Sequence, residues 1–179
     1  MKITATVKTM TPAEAIKKAR GGGNALGKAM YGGKDINLKL IYLENKEVIL
    51  KLNYQPAPLL RWLGIKPKGP DSQLIRMIVE GTRCTASYSE QPLNTEEIEV
   101  EEGAYQKTEF PMEKIIQTAK RPALRMVRRQ IGKTATAEVH SVRSVYRPYY
   151  VAFYGEMKMG TKVRYLPIPA DGFMIERAT

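Results

Sequence analysis

The sequence predicts an α+β protein made of two related units, each a broken helix packed on a curled antiparallel sheet. Three observations predict it. Several stretches alternate apolar and polar residues at the period of a strand. Two stretches place proline just inside a helix start. The two helix starts also share a pattern: Lys8-Thr9-Met10-Thr11-Pro12-Ala13-Glu14-Ala15-Ile16 and Lys107-Thr108-Glu109-Phe110-Pro111-Met112-Glu113-Lys114-Ile115 both read K-T-x-x-P-x-E-x-I.

Residues 2–8 are β-branched and alternating, which predicts a short strand. Thr11, Pro12 and Glu14 then have capping-box spacing, so a helix should run from Pro12 to about Arg20. Gly21-Gly22-Gly23 interrupts it, because glycine carries a large backbone entropy cost in a helix. Asn24 can cap a second piece, with Leu26 and Met30 on one face, ended by Gly32-Gly33. Ile36, Leu38, Leu40 and Tyr42, then Val48, Leu50, Leu52 and Tyr54, alternate with mostly polar neighbours. Glu44-Asn45-Lys46-Glu47 between them reads as a tight polar turn, so a hairpin is expected. Residues 55–72 form a Pro-rich, Trp62-bearing insertion. Leu74–Val79 and Thr82–Tyr88 are strand-like around Glu80-Gly81, and a short acidic strand follows at 96–102.

The second opening starts a helix at Pro111 with Met112, Ile115, Ile116 and Ala119 on one face. Lys120-Arg121-Pro122 should break it, since an internal proline removes a hydrogen bond and clashes with the preceding turn. The helix resumes with Leu124, Val127 and Ile131 inward and stops at Gly132. A strand from Thr134 to about Tyr146 is bent at Arg147-Pro148 and continues from Tyr149 to Glu156. After a turn at Met157–Gly160, Lys162–Ile168 is an edge or bulged strand because of Pro167 and Pro169. Asp171-Gly172 is a turn, and Phe173–Glu176 closes the chain.

The two openings are followed by collinear features. Each helix breaks before an Ala-Leu pair (Ala25-Leu26, Ala123-Leu124), and each second piece ends in Gly-Lys (Gly33-Lys34, Gly132-Lys133). Each copy closes on an acidic-Gly turn, Glu80-Gly81 or Asp171-Gly172. This predicts a tandem duplication, residues 1–92 and 93–179, paired about a pseudo-two-fold. A helix laid on a curled sheet buries the apolar faces of both. The architecture is cystatin-like or PepSY-like by analogy, which transfers no function.

At 179 residues with 43% apolar and 26% charged, the chain suits a compact fold rather than disorder. It has no run long enough for a transmembrane helix and no apolar leader, so a cytoplasmic protein is expected. One cysteine, Cys84, and one histidine, His140, exclude an intrachain disulfide and thiolate metal clusters. No catalytic residue, metal site or cofactor is predicted. The net charge of +11 favours anionic partners.

Arg121, Arg125, Arg128 and Arg129 fall at i, i+4, i+7 and i+8, a helical stripe suited to phosphates unless Glu96, Glu97, Glu99, Glu101 or Glu102 neutralise it. Tyr146, Tyr150 and Tyr154 share one face of a strand, where aromatics either stack bases or, more often, lie half-buried with their hydroxyls reaching water. Trp62, with Lys66 and Lys68 nearby, suits a protein contact or an anionic membrane surface. Gly22–Ala29 matches G-x-x-x-x-G-K but ends in Ala where a phosphate-binding loop needs Ser or Thr, and a helix precedes it. It reads as a helix break, with the Gly23–Ala25 amides a lesser anion site. The expected function is a non-enzymatic binding or assembly module with an unidentified protein partner. The alternatives are nucleic-acid binding through Arg121–Arg129 and membrane or partner docking through Trp62.

Overall fold

The computed structural model describes residues 1–21, 33, 35–55, 62–63, 72–131, 134–155 and 164–172. The glycine-rich match at 22–29, the second helical piece to Tyr31, the loop at 66–70, the stop at Gly132, the turn at 157–160 and the closing 173–176 lie outside them, as does the side chain of Ile131. The elements are β1 (Lys2–Thr6), α1 (Pro12–Ala19), β2 (Ile36–Gln55), β3 (Ser72–Glu80), β4 (Ala86–Ser89), β5 (Thr95–Glu99), β6 (Tyr105–Gln106), α2 (Met112–Ile131), β7 (Thr134–Tyr154) and β8 (Arg164–Pro169). The protein is α+β, with a mixed eight-stranded sheet in the order β4-β3-β2-β7-β1-β5, β6 pairing with β2 and β8 with β7. The described residues divide into two compact units, and β2 and β7 each contribute to both.

The first unit takes its residues from Met1–Leu43, Asn94–Lys107 and Val145–Met174. β1 pairs antiparallel with β5, from Lys2↔Glu99 to Thr6↔Thr95, and parallel with β7 at Ala5↔Tyr146. Helix α1 begins as its sequence requires. Thr11 accepts from the Glu14 amide, Glu14 returns a bond to the Thr11 amide, and Pro12 fills the first turn. Its buried face is narrow: Ala15 and Ala19 pack against Tyr150, Ala152, Ile168 and Ala170, with Leu38 and Leu40 alongside. A second cluster joins Ile3, Ala5, Val100 and Tyr146. A buried ion pair pins the end of β8. The Arg147 guanidinium donates to both Asp171 oxygens at 2.8 and 3.0 Å, and the Thr6 hydroxyl donates to Asp171 Oδ2 at 3.0 Å.

The second unit takes its residues from Glu44–Leu93 and Thr108–Ser144. β2 and β3 pair from Asn45↔Glu80 to Asn53↔Ser72, and β3 and β4 from Arg76↔Ser89 to Val79↔Ala86. α2 lies on one face of this sheet, where Ile115, Ala119, Ala123 and Val127 meet Val48, Leu50, Leu52, Ile75, Met77 and Val79. The helical residues recur every four positions and the strand residues every two, as the two geometries demand. Leu50 and Leu52 are fully buried, so truncating either to alanine costs about 2–5 kcal/mol.

Three expectations are corrected. β2 is one 20-residue strand, not a hairpin. The polar run at its middle is buried and paired: Glu44, Asn45 and Glu47 are each under a tenth exposed. α2 is continuous through Pro122, not broken at Lys120-Arg121-Pro122. Its core contacts from Ile115 to Val127 span the proline and outweigh one lost backbone bond. β7 carries the expected strand on both sides of Arg147-Pro148, and both of these residues are buried within its 21 residues. The strand expected at Thr82–Tyr88 starts only at Ala86, because Cys84 adopts a left-handed conformation (φ 52°) that closes the turn.

Candidate polyanion-binding face

Helix α2 carries six Lys and Arg residues against one carboxylate, Glu113. Its apolar stripe is consumed by the sheet, so the cations fall on the other side. Lys114, Arg121, Arg125, Arg128 and Arg129 are all exposed. Lys114 is drawn back toward the helix start, its Nζ 4.4 Å from the centre of the Phe110 ring. Arg121, Arg125 and Arg128 make no ion pair among the described residues. Of the carboxylates expected to neutralise them, Glu96, Glu97 and Glu99 belong to β5 in the first unit, and Glu101 and Glu102 follow it. The turn after β3 flanks the stripe, with Cys84 Sγ 3.4 Å from the Thr118 hydroxyl and the neighbouring Arg83 exposed.

The tyrosines of β7 sit elsewhere. Tyr146 and Tyr150 are each 4% exposed, within the two apolar clusters of the first unit. Tyr105 meets Tyr146 edge-on at 6.1 Å, and the Tyr154 hydroxyl donates to the Ala19 carbonyl at 2.7 Å. A base cannot stack on rings already enclosed by side chains. Burial also raises the Tyr42 hydroxyl above its ordinary pKa, with a contribution from Glu96 and against the pull of Lys8. Trp62 is 82% exposed and Leu63 beside it 52%.

One polar cluster in the second unit has the residue types of a serine–lysine nucleophile pair. Lys46 Nζ lies 2.8 Å from Ser144 Oγ and 2.7 Å from Glu44 Oε1. The Ser144 hydroxyl donates to Glu44 Oε1 at 2.6 Å and accepts from Lys46, so all three side chains are tied to one another. The Thr108 amide donates to Glu44 Oε2 at 2.9 Å. Burial pushes the Glu44 carboxyl up, but the bonds from Lys46, Ser144 and Thr108 together outweigh it and hold it below the ordinary glutamate value. The cluster is a structural clamp. Beside it, Glu47 is flanked by Arg143, which donates to Oε2, and by Arg76, whose Nε stands 2.8 Å from Oε1 off the hydrogen-bond line.

No family model, curated protein or solved structure matches this chain. Among the described residues, no three His, Cys, Asp or Glu side chains converge as metal ligands. No helix described is long and apolar enough to cross a membrane. A pocket of about 370 Å³ in the first unit is lined by Thr9, Met10, Glu14, Lys17 and Lys18. His140 is exposed on β7. The arginine stripe was legible from helical spacing alone. The buried clamp was not, because Glu44, Lys46, Thr108 and Ser144 are brought together from distant parts of the chain.

Proposed function

We propose that the protein is a non-enzymatic binding module that engages nucleic acid through the outer face of α2, working in the cytoplasm. The observation that carries this is the exposure of Arg121, Arg125 and Arg128 on one helical face with no ion pair among the described residues. Unneutralised arginines in register attract phosphates, and each phosphate engaged releases a condensed counterion. The burial of Tyr146 and Tyr150 argues that the contact is made by charge and not by the β7 aromatics. The test is fluorescence anisotropy with labelled oligonucleotides across a salt series. Affinity should fall steeply with salt, and Arg125→Glu with Arg128→Glu should flatten the logarithmic slope by about two. Absence of binding at low salt would overturn the reading.

A second reading has one observation behind it, the 82% exposure of Trp62. An exposed tryptophan beside an exposed leucine suits docking to a protein partner or an anionic membrane surface. Trp62 is the sole tryptophan, so its fluorescence reports directly. An unchanged spectrum with anionic liposomes rejects the membrane version.

For the architecture, we propose that the chain is an internal duplication of residues 1–92 and 93–179 whose two openings do equivalent work. Two contacts support this. In the second unit the Thr108 hydroxyl donates to the Gly81 carbonyl. In the first unit the Thr9 hydroxyl reaches the Ala170 carbonyl at 3.4 Å, and Thr9 Oγ1 lies 3.0 Å from where a Cβ on Gly172 would stand. On this reading each K-T pair secures the acidic-Gly turn of the other copy. The buried faces differ by one residue, since Ala15 and Ala19 align with 114 and 118 while α2 buries Ile115 and Ala119. A pseudo-two-fold of cystatin-like or PepSY-like form would accommodate this by rotating one helix. An experimental structure that superposes the two copies would test it, and unrelated strand connections would reject it.

A further inference from the structure

We infer that the nucleic acid bound by α2 is single-stranded and that Tyr88 is the platform on which a base stacks. The inference rests on the phosphate-binding reading of α2 and adds the ligand class and one contacting residue.

Tyr88 pairs with Met77 across β3 and β4, and directly opposed residues point to the same face of a sheet. Met77 belongs to the cluster under α2, so the Tyr88 ring is on the helix side. β4 stands at one end of the sheet order, and Tyr88 keeps 38% of its surface exposed although its neighbour Met77 is 1% exposed. It is an aromatic ring at the open margin of the helix layer.

Its height along the helix follows from two anchors. The Thr108 hydroxyl bonds the Gly81 carbonyl, and the Thr118 hydroxyl meets Cys84. Both α2 and β4 therefore set out from the turn at residues 81–85. Cys84 and Thr85 belong to the turn, and from Ala86 to Tyr88 is two residues of strand, about 7 Å. From Thr118 to Arg121 and to Arg125 is three and seven helical residues, about 5 and 10 Å. Tyr88 thus comes between the heights of Arg121 and Arg125. Successive helical residues turn by about 100°, which puts Arg125 nearly in line with Thr118 on the β4 flank. Arg121 is rotated slightly outward, and Arg83 extends the positive rim beyond the turn.

A cationic track beside an accessible ring is the arrangement that holds a single strand. Phosphates follow the charges while an unstacked base lies on the aromatic face. A duplex keeps its bases stacked on one another, so it gains the phosphate contacts but not the ring.

The test compares a labelled mixed-sequence oligonucleotide with its duplex by anisotropy at one low salt concentration, using the full chain and its Tyr88→Leu and Tyr88→Phe variants. Leucine keeps apolar bulk at the strand edge and removes the ring. The expected result is about tenfold tighter binding to the single strand, lost in Tyr88→Leu and kept in Tyr88→Phe. Circular dichroism of the variants confirms folding. Equal affinity for both forms, or a single-strand preference that survives Tyr88→Leu, overturns this inference and leaves the phosphate-binding reading standing. No binding to either form overturns both.

Discussion

Thr108 holds Gly81 in place: its hydroxyl donates to the Gly81 carbonyl at 3.0 Å and accepts from the Phe110 amide at 3.3 Å. The two bonds join the start of α2 to the end of β3. Thr108→Val keeps the shape and removes both, at a cost of about 1–2 kcal/mol. Thr9→Val should cost less, because the bond to the Ala170 carbonyl is 3.4 Å long. Urea midpoints of the two variants would show this order, and a larger loss at Thr9 would contradict it.

Gly81 itself has no room for a side chain. A Cβ there would stand 1.8 Å from the Glu44 carbonyl oxygen. That obstacle is backbone in the middle of a paired strand and cannot swing aside. Gly81→Ala should therefore lose about 3 kcal/mol or more. Gly172→Ala meets only the Thr9 hydroxyl at 3.0 Å but must keep a φ of +67°, so about 1 kcal/mol is expected. Chemical denaturation of the pair separates steric from conformational cost.

Cys84 is the one described non-glycine residue with positive φ, at 52°. Cys84→Gly and Cys84→Ala both delete the Thr118 contact, but only glycine relieves the left-handed strain. Cys84→Gly should be the more stable by about 1 kcal/mol. Thermal melts of the two variants decide the point.

Arg147 and Asp171 are 5% and 2% exposed, so each neutralises the other away from solvent. Removing one partner takes the bidentate ion pair from a charge that stays buried. Asp171→Asn or Arg147→Met should destabilise by about 3–5 kcal/mol. The double variant should lose less than the two single losses added together, which a double-mutant cycle by denaturation would measure.

Acid should weaken the second unit through Glu44. Its carboxyl is held below its ordinary value when folded, so the unfolded chain takes up the proton first as pH falls. The contribution is fully present above the ordinary glutamate value of about 4.3 and disappears as pH drops through the lower folded value. Glu44→Gln should flatten that acid limb of the stability curve. A variant curve parallel to the parent's across the window would refute the assignment.

What could be read from the chain was local. The capping box of Thr11 and Glu14, the alternation of Val48, Leu50 and Leu52 and the spacing of Arg121, Arg125 and Arg128 depend on neighbours a few positions away. What could not be read depended on distant partners. Glu44-Asn45-Lys46-Glu47 looks like a turn because four polar residues ordinarily face water. They stay in a strand because Thr108, Gly81, Ser144 and Arg143 hydrogen-bond them and the charge of Arg76 stands beside Glu47. Pro122 looks like a break until the apolar contacts on both sides of it are known. The tyrosines of β7 read as half-buried strand positions more readily than as a stacking surface, and their packing encloses Tyr146 and Tyr150 further than alternation alone indicates.

β2 supplies Ile36, Leu38 and Leu40 to one cluster and Val48, Leu50 and Leu52 to another. Ile36, Leu38 and Leu40 share one parity within the first unit, and Val48, Leu50 and Leu52 share one within the second, along an unbroken strand. Adding or deleting a single residue between Leu40 and Val48 would turn one set outward whichever end kept its register. Exchanging one apolar residue for another of similar volume leaves both sets inward. This stretch can change its spelling but not its length.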